Sequence, residues 1–218
     1  MLRLAGSGLN YWIWDGNDGL RILAFSDLHR DVAAAEKIVA ASVEADVLVG
    51  AGDFGTRGEG TLDTLEILRE ARKPIVLVAG NHDDSNALRD YCADWEFGHF
   101  LQGADWSYEG RIFFGLGSEI PRRNDAEWNE SMSEEKAGVY LESCRSGSIL
   151  VTHTPPLGTA DLQKDGTHEG SEAILAAIQD KQPVLSLCGH IHFSWGKTGQ
   201  IGHTPVHNLG PSVNWFDV

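Results

Sequence analysis

A chain of 218 residues, 42% hydrophobic and 22% charged, is long enough to bury roughly 70% of its unfolded surface around one sizeable core. This composition excludes disordered, collagen-like and disulfide-scaffold classes, and no apolar run approaches the ~20 residues of a membrane-spanning helix. Seventeen basic against thirty-two acidic residues give a net charge of −15, the wrong sign for long nucleic acids or anionic lipid.

The chain opens with Tyr11-Trp12-Ile13-Trp14, an alternating strand candidate, followed by the turn-like Asp15-Gly16-Asn17-Asp18-Gly19. Residues 1–20 therefore predict an N-terminal hairpin or extension, with Trp12 and Trp14 packing on the core. They lack the apolar core and cleavage site of a signal peptide. Continuous apolar runs then read as buried strands: Arg21 to Ser26, Asp46 to Ala51, Pro74 to Ala79, Ser148 to Thr152 and Pro183 to Cys188, with Arg111 to Gly115 as a further candidate. Helical stretches lie between them: Asp31 to Ala45, Thr61 to Lys73, Asp84 to Tyr91, Ser133 to Cys144 and Ser171 to Lys181. Ser133 before Glu134 and Glu135 suits a helix start, and Asp84 suits a cap. Residues 117–132 form a polar loop in which Arg122, Arg123 and Trp128 read as surface residues, although a substrate lip could also lie there. The alternation of strand and helix predicts a layered α/β fold, one domain over 1–218. Cys92, Cys144 and Cys188 are odd in number and widely spaced, which predicts reduced thiols and a cytoplasmic protein.

Five strand candidates end directly on residues that can bind metal. These endings are Ser26-Asp27-Leu28-His29, Gly52-Asp53, Gly80-Asn81-His82-Asp83, Thr152-His153 and Gly189-His190-Ile191-His192. Open α/β sheets bind ligands outside the carboxyl ends of their strands, so the five endings could converge on one point. The i, i+2 spacing within Asp27/His29 and within His190/His192 puts each pair on one side of an extended segment, able to close on a single ion. Any one ending is an ordinary turn. A string such as Gly80-Asn81-His82-Asp83 arises by chance about once in 10³ chains of this length, and here it coincides with four others.

The set resembles the calcineurin-like metallophosphoesterase superfamily, whose pattern runs D-x-H, GD, GNH[DE], an isolated H, then GHxH. All five blocks occur in that order between residues 27 and 192. The resemblance implies a four-layer α-β-β-α sandwich with two central mixed sheets. It also implies a dinuclear metal centre. Asp27, His29, Asp53 and His192 would hold one ion; Asp53, Asn81, His153 and His190 would hold the other, with Asp53 bridging. His82 would sit just outside the ligand shell and face the leaving group. Carboxylate oxygen and imidazole without thiolate favour manganese, iron, zinc or nickel, with manganese preferred. Two such ions can clamp both oxygens of an in-line displacement and ionise a bridging water near neutral pH. No serine or cysteine nucleophile is then required. The implied function is a metal-dependent phosphodiesterase in which a metal-bridging hydroxide attacks a small phosphate ester, a nucleotide among the candidates.

The sequence departs from the superfamily's protein phosphatases. Arg30 replaces the glycine that follows the histidine of D-x-H, and Thr56 replaces the aspartate that normally orients the catalytic histidine. Arg57 matches the family arginine and is the candidate substrate-binding residue, able to grip phosphate through its forked donors. Thr152-His153-Thr154-Pro155-Pro156-Leu157-Gly158 is similar to a string in short bacterial-type phosphodiesterases. A phosphomonoesterase or protein phosphatase is the alternative activity. A non-catalytic scaffold, as in the retromer subunit that resembles this superfamily, fits less well with an intact ligand set.

Overall fold

The computed structural model describes residues 19–218. Residues 1–18, which carry most of the expected N-terminal hairpin together with Trp12 and Trp14, lie outside them. In chain order the elements are β1 (Arg21–Phe25), α1 (Val32–Ala41), β2 (Val47–Gly50), α2 (Thr61–Arg69), β3 (Ile75–Leu77), α3 (Ser85–Ala93), β4 (Gly98–Phe100), β5 (Ala104–Tyr108), β6 (Arg111–Leu116), α4 (Glu134–Leu141), β7 (Ile149–Thr152), α5 (Glu172–Lys181), β8 (Leu185–Cys188), β9 (Thr198–Ile201), β10 (Thr204–Asn208) and β11 (Asn214–Asp217). They form a five-stranded sheet, β11-β1-β2-β3-β4, and a six-stranded sheet, β5-β6-β7-β8-β10-β9. β1 to β4 run parallel, with β11 antiparallel at the edge. β6, β7, β8 and β10 run parallel between antiparallel β5 and β9. Both sheets are therefore mixed.

Strand alternation sorts the apolar residues into three cores. In β1, Leu23 and Phe25 face the helices, where they meet Ala35 and Ile38 of α1, Leu65 and Leu68 of α2 and Leu88 of α3. Ile22 and Ala24 face the other way, with Val47, Val49 and Val76, and meet Phe113, Ile149, Val151 and Leu187 of the second sheet. Phe114, Leu116 and Leu150 cover the far face of that sheet against Ala137, Leu141, Ile174 and Ile178 of α4 and α5. The result is the four-layer α-β-β-α sandwich. Each fully buried Leu, Ile or Phe contributes about 1.5–3 kcal/mol of transfer free energy. Because both faces of the central strands are covered, their sequences are continuously apolar.

Helix starts are fixed by side chains. Asp31, Asp84, Ser133 and Ser171 each accept a hydrogen bond from a backbone N–H of the first turn, which satisfies one otherwise orphaned donor. Glu134 serves two helices. Its carboxylate accepts from Glu172 N at 3.1 Å, Ala173 N at 2.9 Å and Ser171 Oγ at 2.7 Å, so it also caps α5. α1 stops at Ala41, short of the expected Ala45, where the chain tightens into a 3₁₀ turn over Ser42–Glu44. Five strands, β4, β5, β9, β10 and β11, are not among those expected from the sequence. β4, β5, β9 and β11 sit at sheet edges. Cys92, Cys144 and Cys188 are free and buried.

Candidate metal centre

Six parallel strands deliver loops to one rim of the sandwich. After β1 the chain turns through Asp27 and His29, after β2 through Asp53, and after β8 through His190; all four residues adopt positive φ, at 54°, 46°, 57° and 68°. Left-handed backbone at non-glycine residues is costly and clusters where a site requires it. Neighbouring glycines make the crowding possible. A Cβ at Gly80 would collide with the Asp53 carboxylate, and one at Gly189 would collide with Asp27 and Ser26. Arg30 also has a positive φ, 68°, which explains why the superfamily places glycine there. Its side chain lies against Gly60, where a Cβ would meet the Arg30 guanidinium.

The seven expected ligands face one another in two sets. His29 Nε2 lies 3.1 Å from His192 Nε2, and His192 Nε2 lies 3.8 Å from Asp27 Oδ1. Asn81 Oδ1 lies 3.1 Å from His153 Nε2 and 3.0 Å from His190 Nδ1. Asp53 Oδ2 joins the sets, 3.5 Å from both His29 Nε2 and His153 Nε2. Tautomers follow from the opposite ring edges. His29 Nδ1 contacts Gly55 O at 3.2 Å and His153 Nδ1 contacts Ala51 O at 2.8 Å. A carbonyl only accepts, so Nδ1 carries a proton in both rings and Nε2 is the nitrogen left to face inward. Inward-facing imidazole nitrogens and carboxylates that converge on one point are the donor set a cation needs. Among the described residues three groups have ligand atoms that all lie within 4.8 Å of one another and could each hold an ion: Asp27, His29 and His192; His29, Asp53 and His82; and Asp27, Asp53 and His153.

The surroundings hold these donors rigidly. Asp27 Oδ2 accepts from Ser26 Oγ at 2.5 Å and from Trp195 Nε1 at 3.2 Å, and Trp195 packs on His192 with centroids 4.2 Å apart. Asp83 is buried and accepts from the backbone N–H groups of Asp53, Phe54, Gly55 and Gly80 and from Thr61 Oγ1. It ties the Gly52-Asp53 turn to the Gly80-Asn81-His82 turn, whereas Asp84 is the helix cap. His82 is oriented without the aspartate that Thr56 replaces. Its Nδ1 accepts from Arg57 N at 2.9 Å, and its ring stacks on Trp128 at 4.6 Å. The Arg57 guanidinium lies 5.9 Å over the same Trp128 ring.

A family model for calcineurin-like phosphoesterases matches residues 20–194. The chain belongs to the calcineurin-like phosphoesterase family. It is 30% identical over 202 residues to a UPF0046 protein of Caenorhabditis elegans, covering 84% of this chain and 67% of that protein. It is 27% identical over 153 residues to a probable cyclic nucleotide phosphodiesterase of Synechococcus sp., covering 67% of this chain and 58% of that protein. The fold matches the crystal structure of TT1561 of Thermus thermophilus with a TM-score of 0.72 at 21% identity, covering 91% of this chain and 99% of that one. Calcineurin-like phosphoesterases are metal-dependent hydrolases of phosphate esters, and the donor groups above are candidates to hold the metal.

Electrostatics in this phosphoesterase site follow burial and pairing. Burial raises the Asp27 carboxyl above its usual range. Burial opposes ionisation of Asp53 too, but His153, His82 and His29 outweigh it and hold this carboxyl well below the usual range. Burial likewise resists a charge on His153, yet Asp53 and Asp27 raise it to about 9. Burial and the neighbouring His153 push His190 well below the ordinary histidine value, and burial lowers His82. A cation held by Asp53 and His153 would displace the proton this pair shares.

One expectation needs correction. The i, i+2 pairs are not extended segments, because Asp27, His29 and His190 are left-handed and His192 starts a 3₁₀ turn. His190 and His192 therefore face different partners: His190 turns to Asn81, and His192 turns to His29. Arg123 is exposed, as expected of a surface residue, and its guanidinium donates to Glu169 O and Gly170 O. Arg122 pairs within its own loop, with Asp125 at 3.1 Å. The sequence reading missed Glu119, Asn129 and Trp195 as site residues. Glu119 had a usable signal: it lies just beyond the carboxyl end of β6, where the strand-end rule applies as it does to the other five.

Proposed function

We propose that the chain is a dinuclear-metal phosphodiesterase acting on small phosphate esters. The observation that carries this reading is Asp53, whose single oxygen stands 3.5 Å from a histidine of each donor set. A carboxylate can serve two cations in that way, whereas a neutral imidazole with its single lone pair cannot. Asp27, His29, Asp53 and His192 would hold one ion, and Asp53, Asn81, His153 and His190 the other, manganese being the preferred metal. Bound there, two divalent ions supply Lewis acidity and a water ionised near neutral pH.

The remaining work falls to the chain. Arg57 N–H occupies His82 Nδ1, so the proton of the neutral ring sits on Nε2, from which it can be donated to the leaving oxygen. Arg57, exposed above Trp128, supplies a forked cation for a phosphate oxygen. His82 Nδ1 accepts from Arg57 N instead of donating to an aspartate, and this weighs against the protein-phosphatase alternative. The kinship with a Synechococcus protein described as a probable cyclic nucleotide phosphodiesterase supports a diester, with a nucleotide among the candidates. The charge of −15 fits a small substrate and no long polymer. Three free buried cysteines fit a cytoplasmic protein.

The test has two parts. Metal analysis of the protein reconstituted with Mn²⁺ is expected to give two ions per chain, and bis(p-nitrophenyl) phosphate is expected to turn over faster than p-nitrophenyl phosphate. One ion or fewer per chain removes the dinuclear reading, and faster monoester turnover transfers the reading to a phosphomonoesterase.

A further inference from the structure

The loop between β6 and α4 places a polar relay behind the second donor set, and the relay begins at a buried carboxylate. Glu119 is 4% exposed and Asn129 is 8% exposed. Asn129 Nδ2 donates to Glu119 Oε2 at 2.8 Å and to Asn124 O at 3.2 Å. Both partners are acceptors, so the amide can face them only with its nitrogen. Asn129 Oδ1 is thereby turned toward Asn81, whose Nδ2 donates to it at 3.1 Å. With its nitrogen engaged, Asn81 must present Oδ1 to His153 and His190, at 3.1 and 3.0 Å. The orientation of one expected ligand is thus set two residues away.

The other carboxylate oxygen reaches a second ligand. Glu119 Oε1 lies 3.7 Å from His190 Nε2, the ring nitrogen opposite the one that faces Asn81. A carboxylate behind an imidazole favours the tautomer whose lone pair faces inward and raises its basicity. The carboxylate is itself fixed, because Glu119 Oε2 also accepts from Arg123 N at 3.0 Å. The loop is anchored to the same place by Glu130 N, which donates to Asn81 O at 3.0 Å. Among the described residues, nothing comparable from this loop reaches Asp27, His29 or His192.

We infer that Glu119 and Asn129 are positioning residues that orient Asn81 and His190 together and so set the affinity of the second metal site without touching the metal. This inference rests on the dinuclear reading above. The experiment titrates chelator-stripped full-length protein with Mn²⁺ calorimetrically and counts bound metal by mass spectrometry. It compares wild type with Asn129→Leu and Glu119→Gln.

The wild type is expected to bind two ions in two resolved steps. Asn129→Leu is expected to weaken one step by about 10–100-fold and to leave the other within about twofold. Glu119→Gln, which keeps the shape but loses the charge, is expected to weaken the same step by a smaller factor. Circular dichroism melting of the metal-free proteins checks folding. If Asn129→Leu does not fold, Asn129→Asp replaces it; this variant sets a carboxylate against Glu119 and is expected to weaken the same step. A wild type with two ions and variants that bind both like wild type overturn the positioning role and leave the dinuclear reading standing. Equal weakening of both steps overturns it as well. A wild type with fewer than two ions overturns the dinuclear reading, and the relay falls with it.

Discussion

The two donor sets share Asp53 yet live in different surroundings. Around His153, which is fully buried, and Asn81, 5% exposed, every polar edge is occupied: by Ala51 O, by Asn129 and by the Asp53 carboxylate. Around His192 the side chain is 53% exposed, and its main support is the face of Trp195. The buried set is built like a core, where a missing atom leaves a void and an orphaned donor. The open set is built like a surface, where the chain gives up rigidity for access. His82 and Arg57 stand on the open side, so the half that reaches substrate is also the half with less packing around it.

The largest expected effect erases this distinction. Asp53→Asn removes the one charge common to both sets, so metal analysis should find less than one ion per chain and activity should fall to background. Two retained ions would break the idea of a shared bridge. Next in size, His82→Ala should lower kcat by about 10²–10⁴-fold with metal content unchanged, measured on a diester with a poor leaving group. Lost metal in that variant would make His82 a ligand rather than a proton donor. A more direct comparison pairs His153→Ala with His192→Ala under chemical denaturation without metal. The first should cost about 2–4 kcal/mol, from a cavity and an unpaired Ala51 carbonyl. The second should stay within about 0.5 kcal/mol, as exposed substitutions do. Equal costs would show the two sets to be equally embedded. A milder change than deleting His153 is Trp195→Phe, which keeps a ring on His192 but removes the N–H given to Asp27. It should weaken one ion by about tenfold, read by metal titration.

Much of this arrangement could be read from the sequence because it obeys periodicity and the strand-end rule. Continuous runs such as Asp46 to Ala51 predicted central strands, and each ended on a residue that now faces the centre. Edge strands escaped notice for the opposite reason. β5 reads Ala-Asp-Trp-Ser-Tyr and is half exposed, so neither a continuous apolar run nor clean alternation marks it. The i, i+2 argument placed Asp27 and His29 together but misjudged how, because left-handed backbone at non-glycine residues carries no local signal. Asp83 could not be assigned from a string in which Asp84 also fits a cap; the four backbone donors that decide it come from two different turns. Glu119 follows the carboxyl end of β6 and so carried the strand-end signal, but Asn129 was obscured inside a polar loop, since nothing local separates a solvated amide from one folded back onto the site.

Glu134 carries a consequence for the outer helical layer. Its carboxylate belongs to the first turn of α4 but closes the first turn of α5, so fraying at the start of α4 withdraws acceptors from the start of α5. In native-state hydrogen exchange the opening amides of both helices should become labile together, as a single cooperative unit.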